Sequence, residues 1–236
     1  MNAMRAVQSP YWIVLGLVVV SYVACTTQLT PNPSSLALIV QLVTVAVTLQ
    51  VTRMPKHVRW GTWILIAVLV ALIAIGSLFG FQGHTLDIAL AILAIVAYFA
   101  AAIAIIVDQQ RRKLVDLQTL VGFVTAYVMV GMMFTFVFNL IALVSAVPTF
   151  GEGTVDSLSS QLFFSFTTLT TTGYGNIVPV LPAVQGIAIF EAITGQLFLI
   201  VGVARIVKLR DPAPSGFAIT TPVAADTTPA AEGLTR

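Results

Sequence analysis

Runs of apolar residues long enough to cross a bilayer recur along nearly the whole chain, and they restrict the fold more than any other feature. About 20 residues of helix span the hydrocarbon core. The sequence on that measure predicts six spans, at 10–27, 34–52, 60–80, 85–107, 117–147 and 183–208. Backbone groups in lipid must find partners within the protein, which predicts helices for all six. Composition agrees, with 58% of residues hydrophobic and 8% charged, against ~25% charged in soluble domains. One shorter piece interrupts the pattern. Residues 157–169, "SLSSQLFFSFTTL", are too few to cross and read as a re-entrant helix.

The basic residues provide an independent check on the number of spans. They fall into four groups: Arg5; Arg53, Lys56 and Arg59; Arg111, Arg112 and Lys113; and Arg205, Lys208, Arg210 and Arg236. The connections at 28–33, 81–84 and 148–156 contain none. With six spans every group lies on one side, which the positive-inside rule assigns to the cytoplasm together with both termini. One span more or fewer breaks this segregation. The expected location is the cell (plasma) membrane. Span one, ending in "YVAC", has a second reading as a secretory or lipoprotein signal. The tail 211–236 is rich in Pro, Ala and Thr without apolar periodicity, and is expected to be disordered.

Residues 170–179, "TTTGYGNIVP", place two glycines and several threonines where the surrounding spans imply membrane depth. Non-helical backbone there must be buried in protein or line a water-filled path. The longer stretch "SFTTLTTTGYGNIVP" resembles the pore loop and selectivity filter of potassium channels. "TTGYG", residues 171–175, follows the filter pattern, between a short amphipathic helix and a long apolar one. The resemblance runs from about Leu117 to Lys208, the last two spans. It implies an outer helix, pore helix, filter and inner helix, assembled as a homotetramer around one axis. It further implies that the carbonyls of Thr171, Thr172, Gly173 and Tyr174 and the Thr171 hydroxyl coordinate dehydrated K+. Gly173 and Gly175 are suited to the positive φ that such a ladder needs. Tyr174 is expected to point away from the pore as a spacer.

The sequence departs from the family pattern in two places. Asn176 follows the motif where most potassium channels carry an aspartate. Phe163 and Phe164 stand where tryptophans often brace the filter tyrosine. The brace is then looser or uses Thr167 or Thr168, and a filter prone to inactivation is expected. Glu152 and Asp156 either restore negative potential at the outer mouth or are solvated loop acids. Glu191 is the only acidic residue deep in spans five and six. It is expected against the pore helix, bonded to Thr167, Thr168 or the Tyr174 hydroxyl, or else to be a packing residue. Gly195 and Gly202 are either hinge positions or sites of close helix crossing. Gln196, Leu199 and Val203 are expected on the cavity face, with Leu199, Val203 and Val207 forming an apolar constriction.

Voltage sensing of the usual kind requires several basic residues in span four, and 85–107 contains none. Residues 1–110 thus resemble a voltage-sensor scaffold without its charges, 111–210 a pore domain, and 211–236 a tail. The expected fold is an all-α integral membrane protein with six transmembrane helices, a re-entrant pore helix and a filter. The expected function is a potassium-selective channel, not strongly voltage-gated, whose partners are membrane lipids, K+ and other copies of the chain. The alternatives are a weakly selective cation channel and, in another class, a secondary transporter or regulatory membrane subunit. Two histidines, the lone Cys25 and no clustered carboxylates offer little for an enzyme, and no cofactor or nucleic acid is expected. Arg111, Arg112 and Lys113 read as an inner-leaflet anchor, with an anionic-lipid site as the alternative.

Overall fold

The computed structural model describes residues 10–29, 35–52, 84–110, 117–151 and 153–210, and isolated helical positions between 60 and 71. Among these residues the fold is all-helical. In chain order the elements are α1 (Pro10–Thr26), α2 (Ser35–Val51), α3 (His84–Gln110), α4 (Leu117–Val144), α5 (Leu158–Leu169) and α6 (Pro182–Arg210). Most of span three, the tail, Glu152, His57 and the basic residues at 5, 53, 56, 59 and 111–113 lie outside the described residues.

Among the described residues three helices, α3, α4 and α6, are long and apolar enough to cross a membrane. At 28 residues, α4 reaches ~42 Å, well beyond the ~30 Å hydrocarbon core. It stops at Val144, short of the predicted 147. The Ser145 hydroxyl there donates to the Val147 carbonyl at 2.8 Å, and Pro148 brings no N–H to continue the ladder. α1 and α2, at 17 residues each, span ~26 Å. α5 has 12 residues and covers only ~18 Å. Ser157 caps α5, its hydroxyl accepting from the Ser160 N–H at 3.1 Å, which fixes where this helix begins.

α3 and α4 pack through small residues. Ala94, Ala97, Ala101 and Ala104 are buried on one face of α3, while Ile92, Val96, Phe99 and Ile103 are exposed on the other. Small side chains inside and large apolar ones outside is the arrangement lipid favours, because close backbone approach, rather than hydrophobicity, drives association there. Tyr98 stacks on Phe136 of α4, ring centroids 5.7 Å apart. Polar side chains latch α1 to its neighbours: Ser21 and Tyr98 hydroxyls lie 2.7 Å apart, the Tyr11 hydroxyl donates to Asp108, and the Thr44 hydroxyl meets the Leu17 carbonyl at 3.2 Å.

α1 also reaches the short helix α5. The Ser159 N–H donates to the Gln28 carbonyl at 3.2 Å, and Tyr22 meets Phe166 edge-on at 5.2 Å. α6 behaves differently. Only 17% of its apolar window is buried within one chain, against 56% for α4, so most of its surface is left for lipid, water or other copies.

Candidate functional site

The loop that follows α5 begins with a compact turn built on the helix C-terminus. Thr170 N–H donates to the Phe166 carbonyl at 3.0 Å and Thr171 N–H to the Thr168 carbonyl at 2.9 Å. The Thr167 carbonyl accepts from both Thr172 N–H, at 2.8 Å, and Gly173 N–H, at 3.1 Å. Four donors of the loop are thereby tied to α5, which leaves the carbonyls of the following residues to point elsewhere. The Thr170 and Thr172 hydroxyls lie 2.8 Å apart.

Backbone hand alternates along this stretch. Thr171 has φ +56°, Gly173 +55° and Gly175 +78°, while Thr172 and Tyr174 keep negative φ. A regular helix or strand repeats one hand; alternation instead turns successive peptide planes so that neighbouring carbonyls face the same way. Glycine adopts positive φ freely, whereas Thr171 does so against the steric cost of a β-branched side chain. Residues 170–176 are exposed, at the negative end of the α5 dipole, where positive charge is favoured.

Behind the loop, Tyr174 stacks on Phe163 with centroids 5.7 Å apart. Phe164 turns the other way, against Phe138 and Phe150, and so does not touch Tyr174 as a second brace. The Thr167 hydroxyl donates to the Phe164 carbonyl at 3.0 Å. Thr167 and Thr168 hold the loop by their carbonyls, as above. Beyond Asn176, an antiparallel bridge joins Phe150 and Pro179, with Gly151 N–H donating to the Val178 carbonyl and Val180 N–H to Thr149, both at 3.0 Å. Asp156 accepts from the Thr149 N–H at 2.9 Å and from the Thr149 hydroxyl. Its carboxylate therefore fastens the connection between α4 and α5.

Glu191 is fully buried and faces α5, but its partner differs from all three expected. The Ser165 hydroxyl lies 2.6 Å from Glu191 Oε1 and 2.8 Å from the Gly131 carbonyl of α4. The reason is helical register: Ser165, Leu162 and Leu169 share the buried face of α5, while Thr167 and Thr168 are only partly buried and Tyr174 lies beyond the helix. Glu191 thus joins three helices through one serine.

Gly195 and Gly202 are both buried at close crossings. A Cβ at Gly195 would collide with the Leu169 carbonyl oxygen, and one at Gly202 with the Phe123 ring. The same Leu169 carbonyl accepts from the Tyr127 hydroxyl at 3.0 Å. Gln196, Leu199, Val203 and Val207 are exposed on α6; Leu199 is turned about 60° and the other three about 100° or more from the buried line through Glu191, Gly195 and Gly202. Four contributors escaped sequence reading: Ser165, Gly131, Tyr127 and Phe166. A Cβ at Gly131 would press into the Phe166 ring, at 2.8 Å. The one signal available was the glycine itself, a small residue amid large apolar ones.

A long apolar helix, a short helix with a handed loop at its C-terminus, and a second long apolar helix follow one another in the order expected of an ion-channel pore. Comparison points the same way: residues 119–209 match the family model described as "Ion channel". That region holds α4, α5, the loop and nearly all of α6, and leaves α1 to α3 outside it. No curated protein and no solved structure matches the chain.

Proposed function

We propose that the protein is a potassium-selective ion channel, a homotetramer in the cell membrane with both termini in the cytoplasm. The observation that carries this reading is the alternating positive φ at Thr171, Gly173 and Gly175 within a Gly-Tyr-Gly loop at the end of a re-entrant helix. In this reading the carbonyls of Thr171, Thr172, Gly173 and Tyr174 and the Thr171 hydroxyl replace the water shell of K+. One loop offers ligands on one side of the ion only, so four copies complete the ring. The unpartnered surface of α6 supports assembly. Gln196 and Leu199 line the water-filled cavity below the filter, and Leu199, Val203 and Val207 narrow its inner end. Ions move passively, and no cofactor or reaction is involved.

A weakly selective cation channel is the second reading, favoured by Asn176 in place of a mouth carboxylate and by a Tyr174 ring braced on Phe163 alone. One measurement separates the two. The purified full chain is recorded in planar bilayers with potassium on one side and sodium on the other. The potassium-selective reading expects a reversal potential close to the potassium equilibrium value. A reversal near zero with single-channel openings selects the weakly selective pore, and absence of any current under all tested potentials sinks both.

A further inference from the structure

The last turn of a helix leaves its carbonyls without intrahelical partners, and in α5 each of them is accounted for. The Phe166 carbonyl accepts from Thr170 N–H, the Thr167 carbonyl from Thr172 and Gly173, and the Thr168 carbonyl from Thr171. These donors all belong to the loop itself. The Leu169 carbonyl differs, because it accepts the Tyr127 hydroxyl of α4 at 3.0 Å, from 42 residues away. Leu169 is 1% exposed. α6 closes in on the same oxygen, so that a Cβ on Gly195 would lie 2.2 Å from it. Water therefore has no room to replace the hydroxyl.

That bond fixes one peptide plane at both ends. The unit joining Leu169 to Thr170 has its N–H on the Phe166 carbonyl at 3.0 Å and its C=O on Tyr127. The next three units, up to the one joining Thr172 to Gly173, turn their N–H groups back to α5. In a planar trans peptide the C=O points opposite to the N–H, so the Thr170, Thr171 and Thr172 carbonyls point away from that helix. Leu169 thus carries the last carbonyl turned into the protein, immediately before those that leave it. The hydroxyl is itself held in place. The Tyr127 ring packs on Phe198 of α6 with centroids 5.5 Å apart, and Phe123, one turn earlier on α4, packs on the same phenylalanine at 4.5 Å.

We infer that Tyr127 is a positioning residue for the proposed ion path. Its hydroxyl sets the orientation of the Leu169–Thr170 peptide, and through it the direction of the Thr171 and Thr172 carbonyls that follow. Tyr127 touches no ion and acts through the backbone alone. Removing the hydroxyl leaves a buried acceptor unmatched, a state that folded proteins rarely tolerate, and frees the peptide plane to turn. The consequence for ions rests on the channel reading, since misdirected carbonyls weaken cation binding only where they replace a hydration shell. The hold on the loop does not depend on ions.

The test compares Tyr127→Phe with Tyr98→Phe in the full chain. Each change deletes one hydroxyl and keeps the ring, so the fold is expected to survive. The Tyr98 hydroxyl lies 2.7 Å from that of Ser21, a bond from α3 to α1 that reports what losing a buried hydroxyl does in general. Hydrogen exchange in detergent reads the amides of Thr170 to Gly173, and barium block in planar bilayers reads the ligand ladder. Tyr127→Phe is expected to raise exchange at these amides about five- to tenfold and to weaken barium block by a similar factor, the scale of one hydrogen bond. Tyr98→Phe is expected to alter neither. Unchanged exchange at Thr170 to Gly173 in Tyr127→Phe overturns the inference. Raised exchange with unaltered block also overturns it, because Tyr127 would then be a structural contact only. Equal effects of the two variants overturn it as well, since general loss of stability would explain both. Absence of barium-sensitive current in the unmodified protein sinks the channel reading instead, and the exchange comparison, read without ions, then still decides whether the hydroxyl holds the loop.

Discussion

Thr171 is the one non-glycine residue with positive φ among the described residues, and it sits at the inner end of the proposed ligand ladder. A strained conformation of this kind costs ~1–3 kcal/mol and persists where the surroundings hold it. Thr171→Gly is expected to keep the fold, since glycine relieves that strain, while removing the hydroxyl; Thr171→Ser keeps the hydroxyl. Barium block in bilayers reads the difference. Block should weaken in Thr171→Gly and persist in Thr171→Ser, and equal block in the two variants would remove the hydroxyl from the site. Glu191 allows a second prediction at this scale. Ser165 retains the Gly131 carbonyl when the carboxyl is lost, so the penalty of Glu191→Ala comes chiefly from the cavity left behind, about 2–4 kcal/mol by analogy with large-to-small core changes. Glu191→Gln conserves volume and should cost less than ~1.5 kcal/mol. Thermal unfolding in detergent should rank them in that order, and equal stability would show that neither cavity nor hydrogen bond matters at this position.

At the scale of elements, the end of α5 is held from two sides by contacts that reach across the fold. α6 passes so close at Gly195 that a methyl group would press on the Leu169 carbonyl, the group that also receives the Tyr127 hydroxyl. Gly195→Ala must displace backbone, at about 1–3 kcal/mol. At Gly186 and Gly16 an added methyl group would meet nothing within 4 Å, so alanine there is expected to be neutral or to stabilise by up to ~1 kcal/mol through helix propensity. A stability series on these three variants checks the claim; a harmless Gly195→Ala would contradict the close crossing. α1 contributes from the other side, through Tyr22 on Phe166 and Gln28 on Ser159. An edge-on aromatic pair contributes ~0.5–1.5 kcal/mol beyond area. Tyr22→Ala is therefore expected to raise amide exchange at the start of the loop after α5, residues 170–173, by up to about tenfold, and unchanged exchange there would mean that α1 does not brace the loop.

For the whole molecule, the first helices are fastened to α4 and α5 by hydrogen bonds and small-residue packing, and span four carries no basic residue. Each elementary charge crossing the membrane field contributes ~2.3 kcal/mol per 100 mV, and steep gating takes several charges per subunit. A conductance–voltage relation of the full chain is expected to be shallow, equivalent to about one charge or fewer from ions entering the filter. A slope equivalent to several charges would require charged groups outside span four, such as Arg111 to Lys113, to traverse the field. The contacts of α1 and α3 fit a structural brace, with Tyr11 on Asp108, Ser21 on Tyr98 and Tyr22 on Phe166 drawing the region toward one packed unit with α5.

Five of the six predicted spans were legible from sequence to within a few residues, because each helix in lipid satisfies its own backbone and hydrophobic length is a local property. The short helix α5 and its loop were equally legible: Ser157 marks the start, and Gly173 and Gly175 mark backbone that no regular helix tolerates. Which faces meet was not legible. In a soluble protein polarity separates the inside from the outside, but here both faces of α3 and α6 are apolar, and shape alone decides. The pairings of Glu191 with Ser165 in place of a threonine, Tyr22 with Phe166, and Gly195 with the Leu169 carbonyl arise from the fit of small residues against large ones. Those contacts depend on the relative rotation and crossing of whole helices, which only the tertiary structure decides.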